Sequence, residues 1–205
     1  MRSGVQVSLE GDVSVIIGTF GDMSKWPRIA KRAIDSVSNQ SVKPRELILK
    51  HGDCLADARN HAAQAARTEW LIFVDADDEL DERYIEHMLA GEGDIRQPST
   101  LGIVDGREDA FPVLIPKKDL LQGNYVVIGA MIRREDFISI GGFHDYPIYE
   151  DWDVWLRMTR ILGSVIIPVP DAIYRVHVSE NSRNNQDRAL QLRYYNEIRR
   201  KAMAL

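Results

Sequence analysis

Apolar runs alternate with amphipathic stripes from Val13 to Ala90. Val13-Ser14-Val15-Ile16-Ile17 is β-branched and predicts a buried strand, ended by the turn-rich Gly18-Thr19-Phe20-Gly21-Asp22. Ser24 as N-cap and Pro27 in the first turn predict a helix to about Val37, with Ile29, Ala33 and Val37 on one stripe. Glu46–Leu49 predicts a second short strand, closed by Lys50-His51-Gly52-Asp53. The alanine-rich Leu55–Arg67 predicts a helix small enough in side chain to pack closely on a sheet. Trp70–Val74 is apolar at every position, as in a strand buried on both faces, and Glu82–Ala90 predicts the next helix. This alternation predicts an α/β class with a mainly parallel sheet, flanking helices and right-handed crossovers.

The second half is less regular. Gly91–Asp109 mixes Gly, Pro, Ser and charges, with a short strand expected at Leu101–Val104. Further strands are expected at Phe111–Ile115, Tyr125–Ile132, Val165–Val169 and Ile173–His177. Arg133–Asp136 opens a short helix ending at Gly141-Gly142, and Phe143–Tyr149 reads as loop. Glu150–Leu162 and Gln186–Leu205 read as helices, the second with Leu190, Tyr194 and Ile198 spaced by four. One domain over residues 1–205 is expected, with a first half at about 13–90, a second half at about 101–185 and a C-terminal helix at 186–205.

A chain of 205 residues buries roughly 70% of its unfolded surface and needs no staples. The net charge of −5 argues against a general nucleic-acid binder. Cys54 is the only cysteine, so no internal disulfide forms, which fits a reducing compartment. No signal-peptide core opens the chain and no apolar run is long enough to span a membrane; a cytoplasmic location is expected. The basic residues Arg193, Arg199, Arg200 and Lys201 of the last helix read as a solvated face.

Candidate chemistry clusters at four places. The buried strand Trp70–Val74 runs into Asp75-Ala76-Asp77-Asp78-Glu79. Acids at the C-terminal end of a parallel strand sit where open α/β sheets place ligands, and oxygen ligands suit Mg²⁺ or Mn²⁺. Helix capping by Asp78 or Asp81 accounts for the same acids, and on these residues alone the two readings stand level. Glu150-Asp151-Trp152-Asp153 opens a helix, where an ionised carboxylate suits either general-base work or an N-cap. Arg175 and His177 share one face of an extended Tyr174-Arg175-Val176-His177, followed by Ser179, Asn181, Ser182 and Arg183. They suit a phosphate and a metal respectively, or a solvated strand end. Arg59, in Ala58-Arg59-Asn60, lies near a helix N-terminus and can meet an anion there or stand in solvent, and Phe20 can lie against a base or in the core.

In order, Val13–Phe20, Ala58-Arg59-Asn60, Asp75-Ala76-Asp77-Asp78, Gly141-Gly142-Phe143, Glu150–Arg157 and Tyr174–His177 resemble the GT-A-fold glycosyltransferases of family 2. The resemblance covers about residues 13–185. It implies an inverting transfer from a nucleotide-diphosphate sugar, most commonly a UDP-sugar, to a saccharide, lipid carrier or protein. It implies donor contacts at Thr19, Phe20, Asp53, Arg59, Asp75, Ala76 and Asp77, and an Mn²⁺ or Mg²⁺ site at Asp77 and His177. It implies Asp151 as catalytic base with Glu150 and Trp152 toward the acceptor; Asp78 keeps the helix cap. Gly18 stands where the family usually has proline. The family's acidic block after the second strand is replaced by Lys50-His51-Gly52-Asp53, followed at once by Cys54–Asn60, so Asp53 substitutes as the base-contacting acid in a shortened member. Two other readings compete. A sugar nucleotidyltransferase needs a longer, more basic loop than Gly18–Asp22, and a non-catalytic saccharide-binding module needs none of these acids.

Overall fold

The computed structural model describes residues 10–109, 115, 117, 119–178 and 187–205. The strands are β1 (Glu10–Phe20), β2 (Lys43–Gly52), β3 (Trp70–Val74), β4 (Glu79–Leu80), β5 (Ile95–Val104), β6 (Arg107–Asp109), β7 (Met131–Arg133) and β8 (Ile166–His177). The helices are α1 (Trp26–Ile29), α2 (Lys31–Ser38), α3 (Leu55–Ala65), α4 (Tyr84–Ala90), α5 (Arg134–Ser139), α6 (Glu150–Ile161) and α7 (Arg188–Ala202). One eight-stranded sheet carries the order β2-β1-β3-β7-β5-β8-β4, with β6 beside β5. β1, β2, β3, β5 and β8 run one way, and β4, β6 and β7 run against them.

The parallel trio β2-β1-β3 places Phe20, Gly52 and Val74 at one edge of the sheet. All five β3 side chains are buried, each adding roughly 1.5–3 kcal/mol of apolar transfer. On one face α3 lies close to β1, because a Cβ at Gly18 would stand 2.9 Å from Arg59 Cγ. Gly18 therefore makes room for the Arg59 side chain to run along the sheet end, where a proline ring would intrude.

Several elements differ from expectation. The helix expected to Val37 breaks at Ala30 into α1 and α2; Pro27 does sit in its first turn, but Lys25 precedes it without a side-chain cap. Ser24 bonds Asp22 instead. The two extended pieces expected after Val165 are one strand, β8, whose register slips opposite Pro98 and Ser99, and β5 begins earlier, at Ile95. Within Tyr125–Ile132 only the end joins the sheet, as part of β7. Val126, Val127 and Ile128 are buried in a turn that Tyr84 fixes by donating to Gly129 O at 2.8 Å. The strand expected at Phe111–Ile115 lies, but for Ile115, outside the described residues, as do Ser179, Asn181, Ser182 and Arg183. Among the described residues no helix is long and apolar enough to cross a membrane.

Candidate active site

The two acidic clusters meet through one buried cation. Arg59 is 1% exposed. Its Nη1 donates to Glu150 Oε1 at 3.0 Å and its Nη2 to Asp75 Oδ1. Its guanidinium also lies over the Phe143 ring, 5.1 Å from the centroid. Thus Arg59, expected at the donor, sits beneath the cleft and bridges its walls. The neighbouring Asn60 clamps the Phe143 backbone from both sides, donating to its carbonyl at 2.9 Å and accepting its N–H at 2.8 Å. Arg157 completes the support, with Nε 2.9 Å from Asp153 Oδ2 and Nη1 2.7 Å from Ile140 O. The Ala-Arg-Asn, Gly-Gly-Phe and Glu-Asp-Trp-Asp blocks are therefore one mechanical unit.

α6 starts under strain. Tyr149, its N-cap, holds φ 63°, a left-handed conformation uncommon outside glycine. The next two residues are Glu150 and Asp151. Asp151 Oδ2 accepts from Asn124 Nδ2 at 2.8 Å, and Oδ1 accepts its neighbour's N–H, Trp152 N, at 2.8 Å. Burial, then the Glu150 charge, push Asp151 up to about 7, against the two hydrogen bonds and Arg59. A carboxyl poised there exchanges a proton readily at neutral pH. Trp152 is fully buried, its indole donating to Leu120 O at 2.9 Å.

Across the cleft, oxygens of Asp75, Asp77 and Asp78 lie within 4.8 Å of one another. Asp78 does not cap α4. It is buried, its Oδ1 accepts the backbone N–H of His177 at 2.8 Å, and Arg83 precedes the helix without a side-chain cap. Burial first, then Asp75 and Asp77, push the Asp78 carboxyl well above the ordinary range. His177 stands beside the trio and is not part of it. Its Nε2 is buried, without a hydrogen bond among the described residues, 3.4 Å from Glu79 Oε1. Three convergent carboxylates and an orphaned imidazole nitrogen fit a hard divalent cation, whose charge would relieve the repulsion that raises Asp78. Asp75 is further fixed by the Tyr174 hydroxyl, 3.0 Å from its backbone N.

The remaining residues expected at the donor line the same sheet edge. Thr19 is buried and its Oγ1 lies 3.0 Å from His51 Nδ1. The Phe20 ring packs against Trp26, centroids 6.2 Å apart, and its carbonyl accepts from the Trp26 indole at 2.6 Å. Asp53 is exposed in the bend before α3, and Ala76 is buried. Arg175 is engaged by Glu108 and Asp81 at 3.0 and 3.1 Å.

Between the acidic walls lies a cavity of about 510 Å³. Asp75 and Asp78 face it from one side, Glu150 and Asp151 from the other. Asn124, Lys117, Gln191 and Tyr195 also line it, and none of these four was singled out from the sequence. Asn124 follows a glycine in an irregular segment with no periodic signal. Tyr195 adjoins the expected stripe of α7, and its hydroxyl donates to Gln122 O at 3.3 Å.

Residues 27–111 match the family model described as Glycosyl transferase family 2. No curated protein matches the sequence. Among solved structures, S. aureus TarS 1-349 in complex with UDP-GlcNAc matches at TM-score 0.65 and 14% identity, over 85% of this chain and 61% of that one. The UDP complex of the same TarS fragment matches at 0.62 and 16%, over 82% and 60%, and a longer TarS structure at 0.62 and 16%, over 82% and 37%. The chain thus spans less than two thirds of each, and the likeness is one of fold: a GT-A-type α/β sheet flanked by helices.

Proposed function

We propose that this chain, whose residues 27–111 match the glycosyl transferase family 2 model, is a member of that family and moves a sugar from a nucleotide diphosphate to an acceptor hydroxyl with inversion. The observation that carries the reading is the single cavity shared by Asp75 and Asp78 on one wall and Asp151 on the other. UDP and UDP-GlcNAc are bound by matched structures, which supports a uridine-diphosphate sugar as donor.

Asp151 accepts the proton of the acceptor hydroxyl. The acceptor oxygen then forms its bond to the anomeric carbon while the bond from that carbon to the diphosphate oxygen breaks, its electron pair leaving with the diphosphate. One displacement inverts the centre. Retention by double displacement requires a second carboxylate as nucleophile, and the neighbouring acid, Glu150, is tied to Arg59. Asn124 and the Trp152 N–H orient the Asp151 carboxylate, and Arg59 holds Asp75 and Glu150 apart at fixed spacing. Asp75, Asp77 and Asp78, with His177 beside them, would hold a divalent cation. Bound there, Mn²⁺ or Mg²⁺ supplies charge neutralisation for the leaving diphosphate. On this reading the base lies along the sheet edge formed by Thr19, His51 and Phe20, with Asp53 at its rim.

A thermal-shift series with nucleotide sugars, with and without Mn²⁺, tests the reading. A UDP-sugar raises the midpoint, more so with Mn²⁺, because only ligands of the folded state stabilise it. Midpoints unmoved by every nucleotide sugar contradict it.

A further inference from the structure

We infer that α7 forms the acceptor wall of this site, that Tyr195 is its specificity-determining residue, and that the acceptor is an uncharged saccharide whose ring lies against Tyr195. The word acceptor rests on the transfer reading above; the saccharide site itself does not.

α7 is fixed to the domain. Ile198 and Ala202 are buried. Lys201 Nζ donates to the Tyr146 hydroxyl at 2.8 Å, and the Tyr146 and Tyr194 rings meet edge-on at 5.9 Å. That anchorage sets the Tyr195 ring on Trp152, stacked at 5.0 Å and 23°. Trp152 is the residue after Asp151, so the aromatic pair stands immediately beside the candidate base. Gln191, one turn earlier on the helix, faces the same cavity, while Leu192 turns outward.

The wall chemistry selects the ligand. The cavity that Tyr195 lines is apolar at Val127, Ile128 and Ile148, and among the described residues its side-chain amides are those of Asn124 and Gln191. An aromatic face with a few placed amides suits a pyranose, which presents C–H groups on its faces and hydroxyls at its rim. Charge adds a preference. Among the described residues, Asp75, Asp78, Glu150 and Asp151 line the cavity against one ammonium, Lys117, with Arg59 lying behind the wall. With neither cation nor donor bound, such a wall disfavours a further carboxylate on the incoming group. A neutral sugar carries no such penalty.

Saturation-transfer NMR on the whole chain, without donor, tests this using methyl glycosides of neutral hexoses and N-acetylhexosamines against the matching methyl uronides. Neutral glycosides bind, and uronides bind about tenfold more weakly or not at all. Tyr195→Phe keeps the affinity, and Tyr195→Ala loses it by about tenfold, the worth of one aromatic stack. Tyr195→Leu, which keeps bulk on Trp152 without a ring, loses it likewise and serves should the alanine variant not fold. Leu192→Ala, on the outer face, binds as the parent does. Equal affinity in the leucine variant, uronides binding as tightly, or no neutral glycoside binding overturns the inference. Because no donor is present, failure of sugar transfer in a separate assay counts against the transferase reading alone.

Discussion

Asn124 donates to Asp151 Oδ2 at 2.8 Å from an irregular segment 27 residues upstream. A donor to a carboxylate favours its ionised form. Asn124→Ala therefore raises the Asp151 pKa above its value of about 7, and the acid limb of kcat/KM moves to higher pH. A pH–rate profile of parent and variant checks this; an unmoved limb contradicts the hydrogen bond's role.

Stability should carry the same signature. Asp151 rises from 3.8 to about 7 on folding, so between those values the folded protein holds more protons than the unfolded chain. The contribution is complete below 3.8 and is lost as pH rises through about 7. Asp151→Asn has no such proton to lose. Urea midpoints of variant minus parent should grow from pH 4 to pH 8 and then level; a flat difference over that range would show that the carboxyl is not raised.

Arg59→Met keeps volume and removes the charge between Asp75 and Glu150. Breaking a buried pair from one side costs about 3–5 kcal/mol. The thermal midpoint should fall by roughly 6–20 °C, given about 2–4 °C for each kcal/mol in a domain this size. Scanning calorimetry reads it directly, and a variant as stable as the parent means the bridge contributes no net stability.

Gly142 holds φ 69° and a Cβ there would meet Asn60 Oδ1 in sub-van der Waals contact. Gly142→Ala must shift the Asn60 clamp on Phe143 and also bears left-handed strain of about 1–3 kcal/mol. Chemical denaturation should show that loss. Ala inserted at no cost would contradict both the left-handed conformation of Gly142 and its contact with the clamp.

Much of the fold was legible because apolar periodicity is local. Val13–Ile17 and Trp70–Val74 declare themselves as strands by composition, and the alanines of α3 declare a helix. β5 extends beyond the expected Leu101–Val104 because Arg96, Gln97 and Pro98 carry no strand pattern. In the fold Arg96 is buried over the Trp70 ring at 4.0 Å and donates to Met88 O at 2.7 Å, partners no local pattern reveals. The acids of the site were legible as clusters, but their division of labour was not. Asp78 reads as a cap until β8 is paired with β4, which brings the His177 N–H to it from 99 residues away. Arg59 reads as an anion contact or a solvated helix charge until α6 delivers Glu150 to its other side.

The most direct measurement compares Asp151→Asn with the parent in two assays on the same preparation: transfer from a UDP-sugar, and the Mn²⁺-dependent thermal shift that sugar nucleotide produces. The account predicts a loss of transfer of about 10²–10⁴-fold, the range for a general base, with the thermal shift retained. Turnover within a few-fold of the parent would contradict Asp151 as the base.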